Sequence, residues 1–360
     1  MKGIRSSSST ARDAAERPVQ TRSPKGRVDL ADSRILFAGT PDIAVPLLRS
    51  LASSFNVVGV LTSCDKSVGR SSKLCPPPVK TAALELGIPV LQFDSLRTPA
   101  REAVKALGAN VLVSFAFGRI FGPMFLALFP NGRFNVHPSH LPLFRGPSPI
   151  QATILGGLRE ASISVQTIGE KMDEGDIWGM MQFSLEGTET TSSLTERVSL
   201  EAASFVPNVL KQALCGEILP VAQCGEPSYC KMIDKADGKL DFSKSLLELH
   251  SLVRASYPWP KAFALADGRE VFITSVWGGF SEVDLVLEET RESVCGDLGC
   301  GRSALPEPGT VVGFRKDRGI GIACADGVLW VNGLQLPAKK EMDHKAFVNG
   351  NRWILDAKFN

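Results

Sequence analysis

No run in this 360-residue chain approaches the roughly 18 uninterrupted apolar residues that a membrane-spanning helix needs. No C-x-x-C pair occurs, and the eight cysteines (64, 75, 215, 224, 230, 295, 300 and 324) are scattered. The four histidines, at 137, 140, 250 and 344, fall at no zinc-ligand spacing. These absences exclude a common structural zinc site and the dense disulfide framework of a small secreted domain. Free thiols in a reducing cytosol are the expectation, and Cys295 and Cys300, close in one Gly-containing loop, are not expected to pair. Charge of one sign is lacking too: 40 Lys and Arg against 38 Asp and Glu leave a net +2. Any basic surface for a polyanion must therefore be local. Neither G-x-G-x-x-G nor a Walker A sequence appears.

What is present is an ordinary globular composition, 44% apolar and 22% charged, long enough for two domains. Residues 1–33 are rich in Ser, Arg and Ala without apolar periodicity, and are expected to be disordered. Asp13, Glu16, Asp29 and Asp32 argue against an organellar transit peptide, which leaves a bacterial extension. From Arg34 to Leu214 buried strands alternate with helical spacing, beginning with the apolar run Ile35-Leu36-Phe37-Ala38. The alternation predicts a mostly parallel, Rossmann-like α/β sheet with helices on both faces, over 34–215. Residues 216–237 are polar and Pro/Gly-containing, and read as a linker. Over 238–360 short strands with turns predict a small antiparallel, OB-like β-barrel, with a poorly patterned and mobile insert at 281–308.

The stretch with most chemistry runs from Asn135 to Ile150, N-V-H-P-S-H-L-P-L-F-R-G-P-S-P-I. A strand ends there on an amide and an imidazole, and the prolines at 138, 142, 147 and 149 forbid further strand or helix. Asn135 and His137, two apart, share a face and point into the crevice at the carboxyl end of the sheet. The plainer reading is a strand end whose histidine is hydrogen-bonded in a rigid loop. After the alternating strand Ala161–Ile168, Gly169 and Gly175 bracket an acidic turn carrying Glu170, Asp173, Glu174 and Asp176. Most of these carboxylates read as solvated; only one has to reach the imidazole.

Together these residues resemble the folate-dependent formyltransferases. The family pattern Asn-x-His-Pro-Ser-Leu-Leu-Pro followed by Leu/Met-Asp-x-Gly-Asp is matched by Asn135, His137, Pro138, Ser139, Leu141 and Pro142, then Met172, Asp173, Gly175 and Asp176. His140 departs from it, standing where the family has Leu. The resemblance implies transfer of the formyl group of 10-formyltetrahydrofolate to an amine through a tetrahedral intermediate, without a metal or a nucleophilic side chain. It implies that Asn135 donates to the oxyanion, that His137, protonated or sharing a proton, is a second donor, and that Asp173 orients the imidazole and favours its cationic form. It also implies a folate site formed by Phe117, Gly118, Ser139, Leu141, Pro142 and Asp176, although Phe115, Phe117 and Phe121 read equally as core.

For the acceptor, the resemblance points to initiator methionyl-tRNA in translation initiation, in a cytoplasmic, monomeric enzyme. The loop Cys64–Lys80 carries Lys66, Arg70, Lys73 and Lys80 against one acid, Asp65, and is similar to the family's tRNA-contacting insertion. A charge run is more often a solvated turn, so the tRNA assignment leans on the resemblance. Small amines such as an amino-sugar nucleotide or glycinamide ribonucleotide are the alternative acceptors within the family. A non-catalytic RNA-binding protein on the same scaffold is the alternative outside it, against which the joint presence of Asn135, His137 and Asp173 speaks.

Overall fold

The computed structural model describes residues 30–68, 73–295 and 305–360. In chain order the first part contains β1 (Arg34–Gly39), α1 (Val45–Ser54), β2 (Asn56–Thr62), β3 (Lys66–Val68), β4 (Lys73–Cys75), α2 (Pro78–Glu85), β5 (Val90–Gln92) and α3 (Thr98–Ala106). It continues through β6 (Val111–Phe115), α4 (Pro123–Leu126), β7 (Gly132–His137), α5 (Pro149–Leu155), β8 (Glu160–Thr167), β9 (Ile177–Ser184) and α6 (Thr191–Leu214). Seven of these strands form one sheet in the order β5-β2-β1-β6-β7-β8-β9. The pairings from β5 to β7 are parallel, and β8 and β9 join antiparallel.

The apolar run of β1 is explained by its two buried faces. Ile35 and Phe37 enter the larger core with α1, α2 and α6 residues, while Leu36 and Ala38 enter a second core with Val104, Leu112 and Phe125. A strand covered on both sides needs no polar alternation. Helix starts follow local chemistry. Proline in the first turn opens α2, α3 and α5, where its missing N–H costs nothing. Thr190 and Ser193 form a capping box at α6.

The second part contains α7 (Leu246–Ala255), β10 (Ala262–Ala266), β11 (Arg269–Val276), α8 (Phe280–Cys295), β12 (Val311–Arg315), β13 (Gly319–Ala323), β14 (Val328–Gln335), β15 (Met342–Asp343) and α9 (His344–Gly350). Its antiparallel sheet runs β10-β11-β14-β13-β12, with β15 on β14. The chain end bridges the two edge strands: Phe359 pairs with Ala266, and Lys358 with Thr310 just before β12. Here α7 is set by a capping box between Ser245 and Glu248.

Three sequence expectations differ from the structure. Order begins before Arg34, with a 3-10 turn at Leu30–Asp32 and a buried Ser33; the rest of the expected disordered extension, 1–29, lies outside the described residues. The stretch 64–80 is not one loop: β3 and β4 pair as a hairpin, and α2 takes in Lys80. The insert 281–308, expected to be mobile, begins as α8, whose Val283 and Val286 are buried in the second core. Residues 296–304, with Cys300, lie outside the described residues. Phe280, at the start of α8, is buried in the core of the first part and lies against the guanidinium groups of Arg159 (4.8 Å) and Arg254 (5.7 Å).

Candidate active site

The site lies on one face of the antiparallel β7–β8 pair, beside two loops, 138–148 and 168–176. Asn135 faces Gln166 across the antiparallel pair, and His137 faces Ser164, so all four side chains share one side of the sheet. His137 is buried. Its Nε2 lies 2.9 Å from the carbonyl oxygen of Phe144. A carbonyl only accepts, so Nε2 carries the proton and donates, which leaves Nδ1 facing the Asp173 carboxylate. Nδ1 and Asp173 Oδ1 are 3.6 Å apart, within ion-pair reach and too long for a direct hydrogen bond.

Asp173 is held on both oxygens. Oδ1 accepts from Gln166 Nε2 at 2.8 Å, and Oδ2 from the Gly146 N–H at 2.9 Å. Both loops approach closely around this carboxylate. A Cβ on Gly175 would sit 1.8 Å from the Thr167 carbonyl oxygen, and one on Gly146 would sit 2.4 Å from that of Cys230. Asp173 and Phe144 adopt positive φ, 55° and 57°. That is tolerable for Asp and unusual for a bulky Phe, so the surroundings must fix the Phe144 backbone.

The environment of His137 opposes its cationic form. Burial pushes its pKa below the ordinary value, outweighing the opposing pull of Asp173 and of the Phe144 carbonyl. The imidazole of the free protein is therefore neutral at neutral pH. Gln166, which nothing in the sequence singled out, is 2% exposed and its Oε1 has no partner. Its only signal is a long amide in an otherwise apolar or small-residue strand. His140, in place of the family Leu, is exposed, and its Nδ1 accepts from Gln182 Nε2 at 2.9 Å.

The remaining expected residues are dispersed in role. Phe117 is buried and stacks on Phe121, and Phe121 stacks on Phe125, so the Phe117 side chain belongs to the second core. Gly118, at φ 78°, is exposed with open space where a Cβ would stand. Ser139, Leu141 and Pro142 are buried; Ser139 donates to the Leu143 carbonyl at 2.6 Å and stiffens the loop. Asp176 is exposed. Of the four loop cations, Lys66 is exposed, the Arg70 residue and the Lys73 side chain lie outside the described residues, and Lys80 is committed elsewhere. Lys80 Nζ reaches both Asp65 oxygens at 2.8 Å, and Gln92 donates to the same carboxylate at 2.7 Å. From α2 its ammonium is thus ion-paired with Asp65, unlike a free loop cation. No group of side chains able to hold a metal occurs among the described residues.

A cleft of about 420 Å³ in the second part is lined by Lys239, Asp241, Phe242, Pro308 and Asn360, none of which belongs to this cluster. Among the described residues no helix is long and apolar enough to cross a membrane.

Residues 33–210 match the formyl transferase family and 232–352 the formyl transferase C-terminal domain. The methionyl-tRNA formyltransferase of Treponema pallidum is 38% identical over 337 residues, covering 90% of this chain and 98% of that protein. That of Treponema denticola is 35% identical over 341 residues, covering 91% and 99%. Among solved structures, the N-formyltransferase from Helicobacter canadensis, with folinic acid and dTDP-3-aminofucose, is 17% identical with a TM-score of 0.57. It covers 86% of this chain and 100% of that one, and shares the fold. HypX from Aquifex aeolicus with tetrahydrofolic acid is 16% identical with a TM-score of 0.53, covering 88% and 47%. Matched over nine-tenths of its length by relatives of this identity and by both domain models in order, the chain belongs to the folate-dependent formyltransferase family, within its methionyl-tRNA formyltransferase group.

Proposed function

We propose that the chain transfers the formyl group of 10-formyltetrahydrofolate to the amino group of methionyl-tRNA. The observation that carries the chemistry is the buried neutral His137 facing Asp173, beside the amide of Asn135 on the same strand. The tRNA acceptor is supported by what its relatives of 35–38% identity are.

The donor supplies a formyl carbon bonded to nitrogen, so transfer forms one C–N bond and breaks another. The attacking amine is itself the nucleophile, and the side chains manage charge and protons. Asn135 offers an N–H to the oxygen on which negative charge develops. His137 Nδ1, with its lone pair free, takes the proton that the amine loses on attack. Asp173 faces that nitrogen and stabilises the imidazolium as it forms, without needing protonation itself. The proton on Nδ1 can then be returned to the departing nitrogen. The partnerless Oε1 of Gln166 is a buried acceptor suited to an N–H of a bound reactant, so the residues present fit the reaction. At the end of β6, Gly118 and the exposed Ile120 leave bare backbone and an apolar edge for a flat heterocycle.

In this reading Lys66, Arg70 and Lys73 contact tRNA phosphates, and the enzyme works as a cytoplasmic monomer. The test is to incubate the full chain with 10-formyltetrahydrofolate and methionyl-tRNA, glycinamide ribonucleotide or a dTDP-amino sugar in parallel. Formyl-methionine on tRNA is expected. Transfer to a small amine with none to tRNA would overturn the acceptor assignment.

A further inference from the structure

Residues 211–231 fall between the two family spans and read in sequence as the end of a helix and a polar linker. In the fold they cross the site and are hydrogen-bonded to both of its loops. Val221 pairs antiparallel with Ile177. Two residues on, Gln223 Nε2 donates to the backbone carbonyls of Asp173 and Gly175, both at 2.8 Å. The Oε1 of the same side chain accepts from Arg145, at 2.7 Å from Nη2 and 3.2 Å from Nε. A single amide thus joins the Asp173 turn to the 138–148 loop.

Five residues later the segment meets the other member of the pair. Ser228 Oγ accepts the Phe144 N–H at 2.9 Å, and the Ser228 carbonyl accepts the Arg145 N–H at 2.9 Å. The Cys230 N–H returns a bond to the Arg145 carbonyl at 2.8 Å, so Arg145 and Tyr229 form a parallel bridge. These bonds hold Phe144 at its positive φ, and it is the Phe144 carbonyl that fixes which nitrogen of His137 is protonated.

We propose that Gln223 and Ser228 are positioning residues for formyl transfer: Gln223 places the Asp173 carboxylate, and Ser228 sets the tautomer of His137 through the Phe144 carbonyl. The proposal rests on the formyl-transfer reading for its kinetics, but not for its spectroscopic part. Neither side chain needs to touch a reactant. Each acts through a backbone whose displacement by even an ångström carries a large kinetic penalty.

The test compares Gln223→Ala, Ser228→Ala and Ser228→Thr in the full chain, with Glu226→Ala as control because Glu226 is exposed in the same segment. Expected are roughly tenfold to hundredfold falls in kcat for the two truncations, with KM for the formyl donor within about twofold of wild type. Ser228→Thr, which keeps the hydroxyl, should recover most of the loss, and Glu226→Ala should be unaffected. Gln223→Ala should also move the acid limb of the kcat/KM profile downward, because a displaced Asp173 no longer supports the imidazolium. Imidazole ¹⁵N spectra should show Nε2 protonated in wild type and mixed tautomers in Ser228→Ala, whether or not any acceptor is formylated. Truncations with wild-type kcat and wild-type tautomer would overturn the proposal. Loss of kcat in proportion to a fall in Tm, with no change in pH profile or tautomer, would equally overturn it, leaving a merely structural segment. The tautomer shift in Ser228→Ala, together with a wild-type protein that formylates nothing, would instead sink the earlier reading alone.

Discussion

Asn135 and His137 stand two residues apart on β7, and their tasks separate cleanly by substitution. Removing the amide as Asn135→Ala should lower kcat roughly 10²–10³-fold with little change in substrate KM, the usual loss for one oxyanion donor. Rates within a few-fold of wild type would show that another group serves the oxyanion. His137 should appear in kcat/KM as an acid limb below the ordinary imidazole value of about 6.5, since burial holds its pKa down. A limb above that value would mean that the Asp173 carboxylate outweighs desolvation. The side chains of this cluster were unequally legible. Asn135 and His137 were set on one face by strand period, while the Gly-bracketed turn offered four carboxylates, of which the family resemblance singled out Asp173. Gln166 could not be placed, because its bond to Asp173 is made across the intervening turn, whose geometry residue spacing does not give. Phe117 read both ways, because an aromatic at a strand end looks the same in sequence whether it lines a pocket or stacks in a core, and here it stacks on Phe121.

At the scale of elements, alternating strand and helix chemistry made the parallel sheet readable, since two-faced burial leaves long apolar runs such as Ile35–Ala38. The same logic hid α8. Its apolar residues are sparse and its start depends on burying one ring in the other half of the chain. Phe280 is 5% exposed and lies between Arg159 and Arg254, while its N–H donates to the Glu186 carbonyl at 2.9 Å. Phe280→Ala should therefore cost about 3–5 kcal/mol in urea unfolding, as deletion of a buried ring generally does. A change below about 1 kcal/mol would mean that α8 packs without its anchor. The hairpin β3–β4 was hidden for another reason: its cations pointed to a phosphate-contacting loop and carried no sign of strand pairing, and Lys80 is ion-paired with Asp65 just before β3.

For the molecule as a whole, buried histidines set an acid limit. His250, 1% exposed on α7, accepts from Arg254 Nε at 3.1 Å and donates to the Gly278 carbonyl at 3.2 Å. Burial, and then the neighbouring Arg254 charge, hold its pKa at about 4. The unfolded chain binds that proton near pH 6.5, so stability is full above that pH and falls as pH drops towards 4, by about 3 kcal/mol. His137, lowered in the same direction, adds to the slope. Urea midpoints between pH 7 and 4 should show the decline, and His250→Gln should flatten it without abolishing it. A wild-type midpoint unchanged down to pH 4 would contradict the burial of these rings. The segment crossing the site has an evolutionary corollary as well. A recombination event that exchanged everything after α6 between two relatives would import a foreign Gln223–Cys230 over a native His137 and Asp173. Hybrids spliced after Cys230 keep that set of contacts together, whereas those spliced at the end of α6 divide it, so inheritance of activity should follow the seam at 230 and not the last helical residue of the sheet layer.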